Sequence, residues 1–194
     1  MTRKSTAERQ QDIVQAVLSL IAESGVQGVT MARIAELVGL TEAALYRHFK
    51  GKLAIVGATI DTAFDELLGA LESSESGESI LERLQGALNA HLNFIERRPG
   101  MARILFSDEV HFNSEDLKRK LASRGDEVAQ RIAGMLAQGK ATRELDEDLD
   151  VQSGVVMYRG IVQAQVMLWT HGRVEKLSEC QKGVWELFRR AIEA

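Results

Sequence analysis

The side chains with the clearest chemical potential lie in one short segment, which reads VTMARIAELVGLTEAALYRHFKGK. Thr30 and Thr41 stand where each hydroxyl group can cap the start of a short helix, and Gly39 between them can end the first helix. The second helix would direct the phenol of Tyr46 and the guanidinium of Arg47 outward. Hydroxyl, phenol and guanidinium groups on one surface suit the binding of a polyanion.

Two helices must position these groups, and the sequence predicts them over 31–38 and 42–49. Leu45 and Phe49, four residues apart, would form the inward face of the second helix. Two short helices joined by a glycine-containing turn, the second with a polar and aromatic outer face, are the arrangement in which a helix enters the DNA major groove. The segment over about 30–49 is therefore predicted to be a helix-turn-helix.

Residues for other kinds of chemistry are missing from the sequence. It contains no glycine-rich phosphate loop, no HExxH or G-x-S-x-G motif and no paired cysteine and histidine set, so an enzyme, a bound metal and a cofactor are not expected. The single cysteine, Cys180, rules out an intramolecular disulfide and a cysteine-based zinc site. His91 and His111 match no metal-ligand spacing.

Charge is divided unevenly along the chain. Residues 1–52 contain seven Lys or Arg and five Asp or Glu, a net charge of +2, whereas the remainder contains 17 and 23, a net charge of −6. A basic end on an acidic body suits a protein that offers one end to a polyanion. We therefore expect a DNA-binding domain over 1–52 and a helical regulatory and dimerisation domain over 53–194.

Composition predicts an all-α fold of about nine helices, because the single Pro and the many Ala, Leu, Glu, Gln and Arg favour helices over strands. Besides the helix-turn-helix we expect a first helix that ends at Gly25, then helices over about 52–71, 79–97, from Pro99, 115–139, 148–171 and from a Ser178 cap to the C-terminus. The sequence SSESGES over 73–79 is predicted to be a loop. No segment reaches the roughly 18 apolar residues of a membrane span, so a soluble cytoplasmic protein is expected.

The segment VTMARIAELVGLTEAALYRHFKGK also resembles part of a known protein family. The LYRHF run with a lysine three residues after it resembles the N-terminal signature of the TetR family of regulators, over a region of about 7–67. The resemblance implies a DNA-binding transcriptional regulator, most commonly a repressor. It also implies a homodimer, double-stranded DNA as a partner and a small-molecule effector that binds in the helical body.

The resemblance implies that Thr30, Thr41, Tyr46, His48 and Lys52 contact DNA phosphates or place the recognition helix, with Arg47 able to reach bases. Plain helix capping remains the alternative for both threonines, and packing at the surface for His48. The complete set of predicted DNA-binding residues is Thr30, Arg33, Thr41, Glu42, Ala43, Ala44, Tyr46, Arg47, His48 and Lys52.

The recognition helix departs from the family pattern. A Lys-Gly-Thr-like triplet is frequent before the Leu-Tyr pair, but here the residues are Glu42, Ala43 and Ala44. Alanine methyl groups can touch a thymine methyl, and Glu42 could accept from cytosine or simply favour the helix dipole. Sparse base contacts are therefore expected, with more specificity left to DNA shape.

In the body, aromatic and polar residues mix over 88–170, and the resemblance implies a ligand cavity there. Ordinary helix-bundle core is the alternative for each of these residues. The predicted pocket residues are His91, Phe94, Phe106, His111, Phe112, Met135, Tyr158 and Trp169.

The last two predicted helices carry apolar stripes wide enough for two partners, and a four-helix bundle across a two-fold axis is expected to form the dimer. Such symmetry predicts a roughly palindromic operator. The predicted interface residues are Val151, Gly154, Val155, Tyr158, Val162, Val184, Leu187, Phe188 and Ala191.

A narrower similarity concerns EAALYRHF and ERRPGMARILFSDEVHFNSEDLKRKL, which are similar in pattern to nucleoid occlusion factors. These are TetR-like DNA binders, associated with the nucleoid, that also engage the division protein FtsZ. The alternative function is thus a DNA-bound regulator of cell division. A ligand-responsive repressor would release DNA with a small molecule, whereas a division factor would bind its protein partner while on DNA.

Overall fold

A computed structural model describes residues 5–74 and 76–194, apart from the side chains at positions 6, 7 and 179–181. Within this part of the chain the secondary structure is helical, with one isolated β-bridge between Leu145 and Glu193 and no strand. The prediction of an all-α fold is therefore confirmed. The helices are α1 (Thr6–Ser24), α2 (Met31–Val38), α3 (Glu42–Tyr46), α4 (Lys52–Ser73), α5 (Ile80–Arg97), α6 (Pro99–Leu105), α7 (Asp108–His111), α8 (Glu115–Thr142), α9 (Val151–Thr170) and α10 (Leu177–Ile192).

The backbone packs into two compact units. The head unit comprises residues 1–64 and 98–124, and the body unit comprises residues 65–97 and 125–194. Helices α4 and α8 each contribute residues to both units. The functional division after residue 52 remains a prediction.

The core of the head unit is formed by the apolar face of α1 packed against α2 and α6. Ile13, Val17 and Ile21 repeat at helical spacing and are fully buried. Helix α6 approaches α1 so closely at Gly100 that a Cβ atom there would lie 2.4 Å from the carbonyl oxygen of Leu18. Glycine at this position therefore allows the two helices to pack.

The core of the body unit is formed by α5, α9 and α10. Leu84, Leu88 and Leu92 recur every four residues along α5 and are buried, as are Tyr158 on α9 and Phe188 on α10. The rings of Tyr158 and Phe188 meet edge to face with their centroids 6.4 Å apart. Burial of these large apolar groups is the main stabilising contribution to this unit.

Local signals explain where several helices begin. Ser5 and Glu8 form a reciprocal capping box at the start of α1, and Pro99 occupies the first turn of α6, as the sequence predicted. Asp150 caps α9, where its carboxylate accepts hydrogen bonds from the hydroxyl and the N–H group of Ser153. These bonds favour the ionised form and lower the pKa of Asp150.

Three helix boundaries differ from the predictions, and one short helix was not predicted. The α-helical geometry of α3 ends at Tyr46 rather than at residue 49, since the N–H group of Arg47 bonds to the oxygen three residues back, on Ala44. Helix α7 was not predicted, because four residues are too few to show a period. Helix α8 continues past Gly139 to Thr142, and α10 begins at Leu177 without a side-chain cap, so Ser178 is not its cap.

Gly139 lies inside α8 and does not end it. Because it has no side chain, another residue can pack closely against the helix at this point. A Cβ atom at this position would lie 2.6 Å from the side chain of Leu145. Glycine at this position therefore leaves room for Leu145, and its backbone is not left-handed. Of the predicted loop over 73–79, Ser73 ends α4 and residues 74 and 76–79 lie outside helices, while Glu75 is outside the described part of the chain, as is the side chain of Cys180.

Neither a membrane span nor a metal cluster occurs in the described part of the chain. None of its helices is both long enough and apolar enough to cross a bilayer. Its His, Cys, Asp and Glu side chains do not gather in groups of three or more that could hold a metal ion.

Candidate nucleic-acid interface

The interface begins with two capped helix starts. The Oγ1 atom of Thr30 accepts a hydrogen bond from the N–H group of Arg33 at 3.2 Å, and that of Thr41 accepts one from Ala44 at 3.1 Å. Both threonines have extended backbone geometry, as N-cap residues do. A hydroxyl that accepts in this way can still donate its proton, so capping does not preclude a bond to a phosphate oxygen.

A glycine turn fixes the direction of α3 relative to α2. Gly39 is left-handed, with φ 66° and ψ 37°, and its N–H group bonds to the oxygen of Glu36. The N–H group of Leu40 bonds to the oxygen of Ala35 at 2.9 Å. These two bonds form a Schellman motif, which needs a residue that tolerates positive φ.

Helix α3 separates its residues into an inner and an outer face. Leu45 is fully buried and Ala44 beside it is also buried, whereas Tyr46 is 53% exposed. Glu42, Ala43 and Arg47 are exposed as well, while His48 is half-buried. The outer face is therefore a phenol and a guanidinium next to a carboxylate and one methyl group, and Ala44 has little surface left for a base.

Arg33 forms several contacts within the head unit. Its Nη1 atom donates to the Oγ atom of Ser24 at 2.8 Å and to the carbonyl oxygen of Gly28 at 2.7 Å. Its Nη2 atom lies 3.7 Å from the carboxylate of Glu23. The guanidinium thus joins the end of α1 to the loop before α2.

Lys52 begins α4 and supplies a cation shortly after the end of α3. Its Nζ atom lies 3.3 Å from the Oε1 atom of Glu109 on α7, and the two side chains are 25% and 24% exposed. Further along α4, Asp61 forms an ion pair with Lys120 of α8. The first half of α4 therefore has one charged partner on α7 and one on α8, all within the head unit.

The predicted pocket residues are divided between the two units. Phe106, His111 and Phe112 belong to the head unit, where Phe112 is 82% exposed and the Nε2 atom of His111 lies 2.7 Å from the carbonyl oxygen of Leu105. An exposed Phe112 is not enclosed by this chain. The remaining pocket residues belong to the body unit, and they are His91, Phe94, Met135, Tyr158 and Trp169.

In the body unit Phe94, Met135 and Tyr158 are buried, whereas Trp169 is half-buried. The Nδ1 atom of His91 lies 3.3 Å from the Tyr158 hydroxyl oxygen. Burial lowers the pKa of His91 to about 4 and raises that of Tyr158 above its usual value. Both groups are therefore neutral at pH 7, as expected of polar groups inside an apolar core.

Gln165 is one of the polar residues that the sequence places over 88–170, although it was not in the predicted set of pocket residues. It lies on α9 seven residues after Tyr158, two helical turns away on the same face, and it is buried. Its Oε1 atom has no hydrogen-bond partner among the described residues. A glutamine within an apolar helix is the sequence signal that could have identified it.

The predicted dimer residues divide into a buried group and an exposed group. Leu187 is 69% exposed and Ala191 is exposed, while Val151 and Val184 are half-buried. The others lie inside a single chain: Gly154, for example, is so close to α8 that a Cβ atom there would meet Leu136 at 2.8 Å. The buried group is Gly154, Val155, Tyr158, Val162 and Phe188.

Other apolar residues of α9 are exposed and were missed. Val156 is 68% exposed, and Met157 and Met167 are also exposed. A Cβ atom at Gly160 would meet no atom within 4 Å. Val156, Gly160 and Met167 recur at helical spacing and form one outward stripe. Because α9 is apolar on nearly all sides, its sequence did not distinguish this stripe from the inner one.

The chain is similar to known proteins along most of its length. Residues 13–59 match the family "Bacterial regulatory proteins, tetR family", and residues 77–170 match "Tetracyclin repressor-like, C-terminal domain". The nucleoid occlusion factor SlmA of Actinobacillus pleuropneumoniae serotype 5b (strain L20) is 32% identical over 142 residues, which cover 72% of this chain and 70% of that protein.

Two solved structures share the fold. The fatty acid degradation regulator FadR of Bacillus halodurans has a TM-score of 0.85 at 18% identity, over 96% of each chain. The FadR of Bacillus subtilis in complex with stearoyl-CoA has a TM-score of 0.81 at 22% identity, over 92% of this chain and 96% of that one. At these identities the likeness concerns the fold.

Proposed function

Because the chain belongs to the TetR family of bacterial regulatory proteins, a family of DNA-binding transcriptional regulators, we propose that it is a homodimeric repressor that a small-molecule effector releases from a palindromic operator. The observation that carries this proposal is the outer face of α3, with Tyr46 half exposed beside Arg47 and with Leu45 buried behind them. An exposed aromatic and a cation on a short capped helix suit insertion into a major groove.

The proposed contacts divide between phosphates and bases. Thr30 and Thr41 would donate their hydroxyl protons to phosphate oxygens, and Tyr46 and Lys52 would bind neighbouring phosphates. Arg47 would reach the base edges. Arg33 supports the interface from behind, because its guanidinium already bonds within the head unit.

The dimer would form through the outward sides of α9 and α10. Val156, Gly160, Met167 and Leu187 leave apolar or open surface unpaired in the single chain. Such surface supports an interface because contiguous exposed apolar residues are uncommon on monomers. A two-fold axis through these helices would match a palindromic DNA site.

The effector would bind in the body unit. The unpartnered Oε1 atom of Gln165 and the neutral pair of His91 and Tyr158 supply a few polar groups within apolar surroundings, which is the pattern of small-molecule sites. We infer an apolar ligand with a hydrogen-bond donor. The Bacillus subtilis structure contains stearoyl-CoA, which agrees with a lipophilic ligand class in this fold.

A second candidate function rests on the similarity to SlmA, a nucleoid occlusion factor that is 32% identical over 142 residues. Under this alternative the protein would act on cell division while bound to DNA, through a protein partner. Purified FtsZ binding to the protein–operator complex without displacing DNA would favour this function. Release of DNA by a lipophilic small molecule, without FtsZ binding, would favour the repressor.

Both candidates place the protein on the nucleoid in the cytoplasm, as a binding protein rather than an enzyme. The test is operator affinity, measured by fluorescence anisotropy on a site selected from random DNA. Tyr46→Ala should weaken binding about tenfold or more, and a loss of about 1.4 kcal/mol corresponds to tenfold. Unchanged affinity in both Tyr46→Ala and Lys52→Gln would overturn the assignment of the interface.

A further inference from the structure

Lys52, which is proposed to bind a DNA phosphate, already forms an ion pair with Glu109 in the DNA-free protein. The Nζ to Oε1 distance is 3.3 Å, and each side chain is about three-quarters buried. Screening by solvent is weaker for such a pair than for fully exposed charges. Lys52 in the DNA-free protein is therefore already partly neutralised.

We propose that Glu109 competes with a DNA phosphate for Lys52 and thereby lowers the affinity of the protein for its operator. This inference rests on the proposed function, in which Lys52 binds a phosphate. A lysine ammonium is a compact charge that can face only a few anions at once. A phosphate that binds Lys52 must either displace the carboxylate of Glu109 or approach it against like-charge repulsion.

Glu109 is held in place by its surroundings in the head unit. It belongs to α7, whose last residue, His111, lies within hydrogen-bond distance of the carbonyl oxygen of Leu105 at the end of α6. Helix α6 in turn packs against α1 through the close approach at Gly100. The backbone of Glu109 is thus carried by packed helices rather than by a free loop, which keeps its carboxylate within reach of Lys52 when DNA approaches.

The charges around Lys52 allow a matched control. Asp108 precedes Glu109 on α7 and is exposed. Lys50, a second cation, lies two residues before Lys52 in the sequence. Asp108→Asn removes one negative charge from the same helix without touching the ion pair. A general gain in attraction to DNA would raise affinity equally in Asp108→Asn and Glu109→Gln.

The experiment measures operator affinity across a range of salt concentrations for Glu109→Gln, Asp108→Asn and Lys52→Gln and for each acid variant combined with Lys52→Gln. Glu109→Gln should bind the operator about three- to tenfold more tightly than the wild type at low salt, and clearly more tightly than Asp108→Asn. The slope of log affinity against log salt should steepen by up to about one phosphate, because Lys52 becomes fully available. In the Lys52→Gln background the two acid variants should be equal.

The other outcomes overturn the inference in distinguishable ways. Weaker binding by Glu109→Gln would mean that Glu109 positions Lys52 instead of competing for it. If Lys52→Gln weakens binding but Glu109→Gln has the same affinity as Asp108→Asn, Glu109 does not compete for Lys52. The proposed DNA interface would still be supported. If Lys52→Gln changes neither affinity nor salt slope, Lys52 does not bind a phosphate. Both the proposed phosphate contact and this inference would then be wrong. Circular dichroism and thermal melting verify that each variant is folded.

Discussion

The Nδ1 atom of His91 lies 3.3 Å from the hydroxyl oxygen of Tyr158, which joins α5 to α9 inside the body unit. Burial lowers the pKa of the imidazole to about 4. Its aromatic neighbour Tyr158 is buried and meets the ring of Phe188 edge to face. Tyr158 is therefore part of the packed core, whereas His91 is half-buried beside it, and protonating the imidazole there should be unfavourable.

The first prediction concerns the dependence of stability on pH. The pKa of His91 is about 4 in the folded chain and about 6.5 when unfolded, so the unfolded chain binds more protons between these values. This histidine should therefore lower the free energy of unfolding as pH falls from 6.5 to 4, by on the order of 1–3 kcal/mol. Urea unfolding of the wild type and His91→Gln across this range measures the difference.

The control for this titration is His171, an exposed residue that follows α9. His171→Gln should retain the wild-type dependence on pH, whereas His91→Gln should be less sensitive to acid. Identical profiles for the wild type and His91→Gln would show that His91 can be protonated in the folded protein at little cost.

The second prediction separates the dimer surface from the core. Val156 is exposed on the outward stripe of α9, while its neighbour Val155 is buried within the chain. Val156→Glu and Leu187→Glu should each give folded monomers, because an unpaired charge buried at an interface costs several kcal/mol, about 3 or more. Val155→Glu should instead unfold the chain. Analytical ultracentrifugation and circular dichroism distinguish these results, and a dimer that persists in both exposed variants would place the interface elsewhere.

Helix ends could be predicted from the sequence where a single nearby residue determines them. The bounds of α2 follow from the Thr30 cap and from Gly39, and the start of α6 follows from Pro99. Each of these residues acts within one turn of backbone, so its effect is visible without tertiary information. The outward direction of Tyr46 and the burial of Leu45 followed from the helical period of the same segment.

Features that depend on distant neighbours could not be predicted. The role of Gly139 depends in part on Ile80 of α5, whose Cγ2 atom a Cβ atom there would meet at 2.9 Å, and the pairing of Lys52 with Glu109 joins residues 57 positions apart. The two apolar sides of α9 differ only in what packs on them, which is why Val155 and Val156 were not distinguished. For Arg33, the contacts with Ser24 and Gly28 could not be recognised from residue type alone.

The third prediction tests whether Arg33 supports the interface or binds DNA. Its bonds to Ser24 and Gly28 link α1 to the loop before α2, so Arg33→Ala should lower the free energy of unfolding by about 1 kcal/mol. Operator binding should weaken, but the salt slope should stay unchanged because no phosphate contact is lost. Arg47→Ala is the contrast, with weaker binding and unchanged stability. A reduced salt slope in Arg33→Ala would instead assign this side chain to DNA.

The last prediction concerns Gln165. Its buried Oε1 atom lacks a hydrogen-bond partner among the described residues, and a buried carbonyl in that condition costs about 1–3 kcal/mol. Gln165→Leu should therefore raise the free energy of unfolding of the ligand-free protein by about 1 kcal/mol. Gln130→Leu changes an exposed glutamine of the body unit that lies on α8, outside the proposed dimer surface of α9 and α10, and should leave stability nearly unchanged.

The same variant tests the effector site. If Gln165 accepts a hydrogen bond from the ligand, dodecanol should stabilise the wild type and Gln130→Leu more than dodecyl methyl ether does, because only the alcohol carries an O–H donor. This preference should disappear in Gln165→Leu, since a leucine cannot accept the bond. Thermal melting with each compound measures the shift. A Gln165→Leu protein that is less stable than the wild type would contradict an unpaired carbonyl in the ligand-free protein, and one that keeps its preference for the alcohol would show that the carbonyl is not the ligand's acceptor.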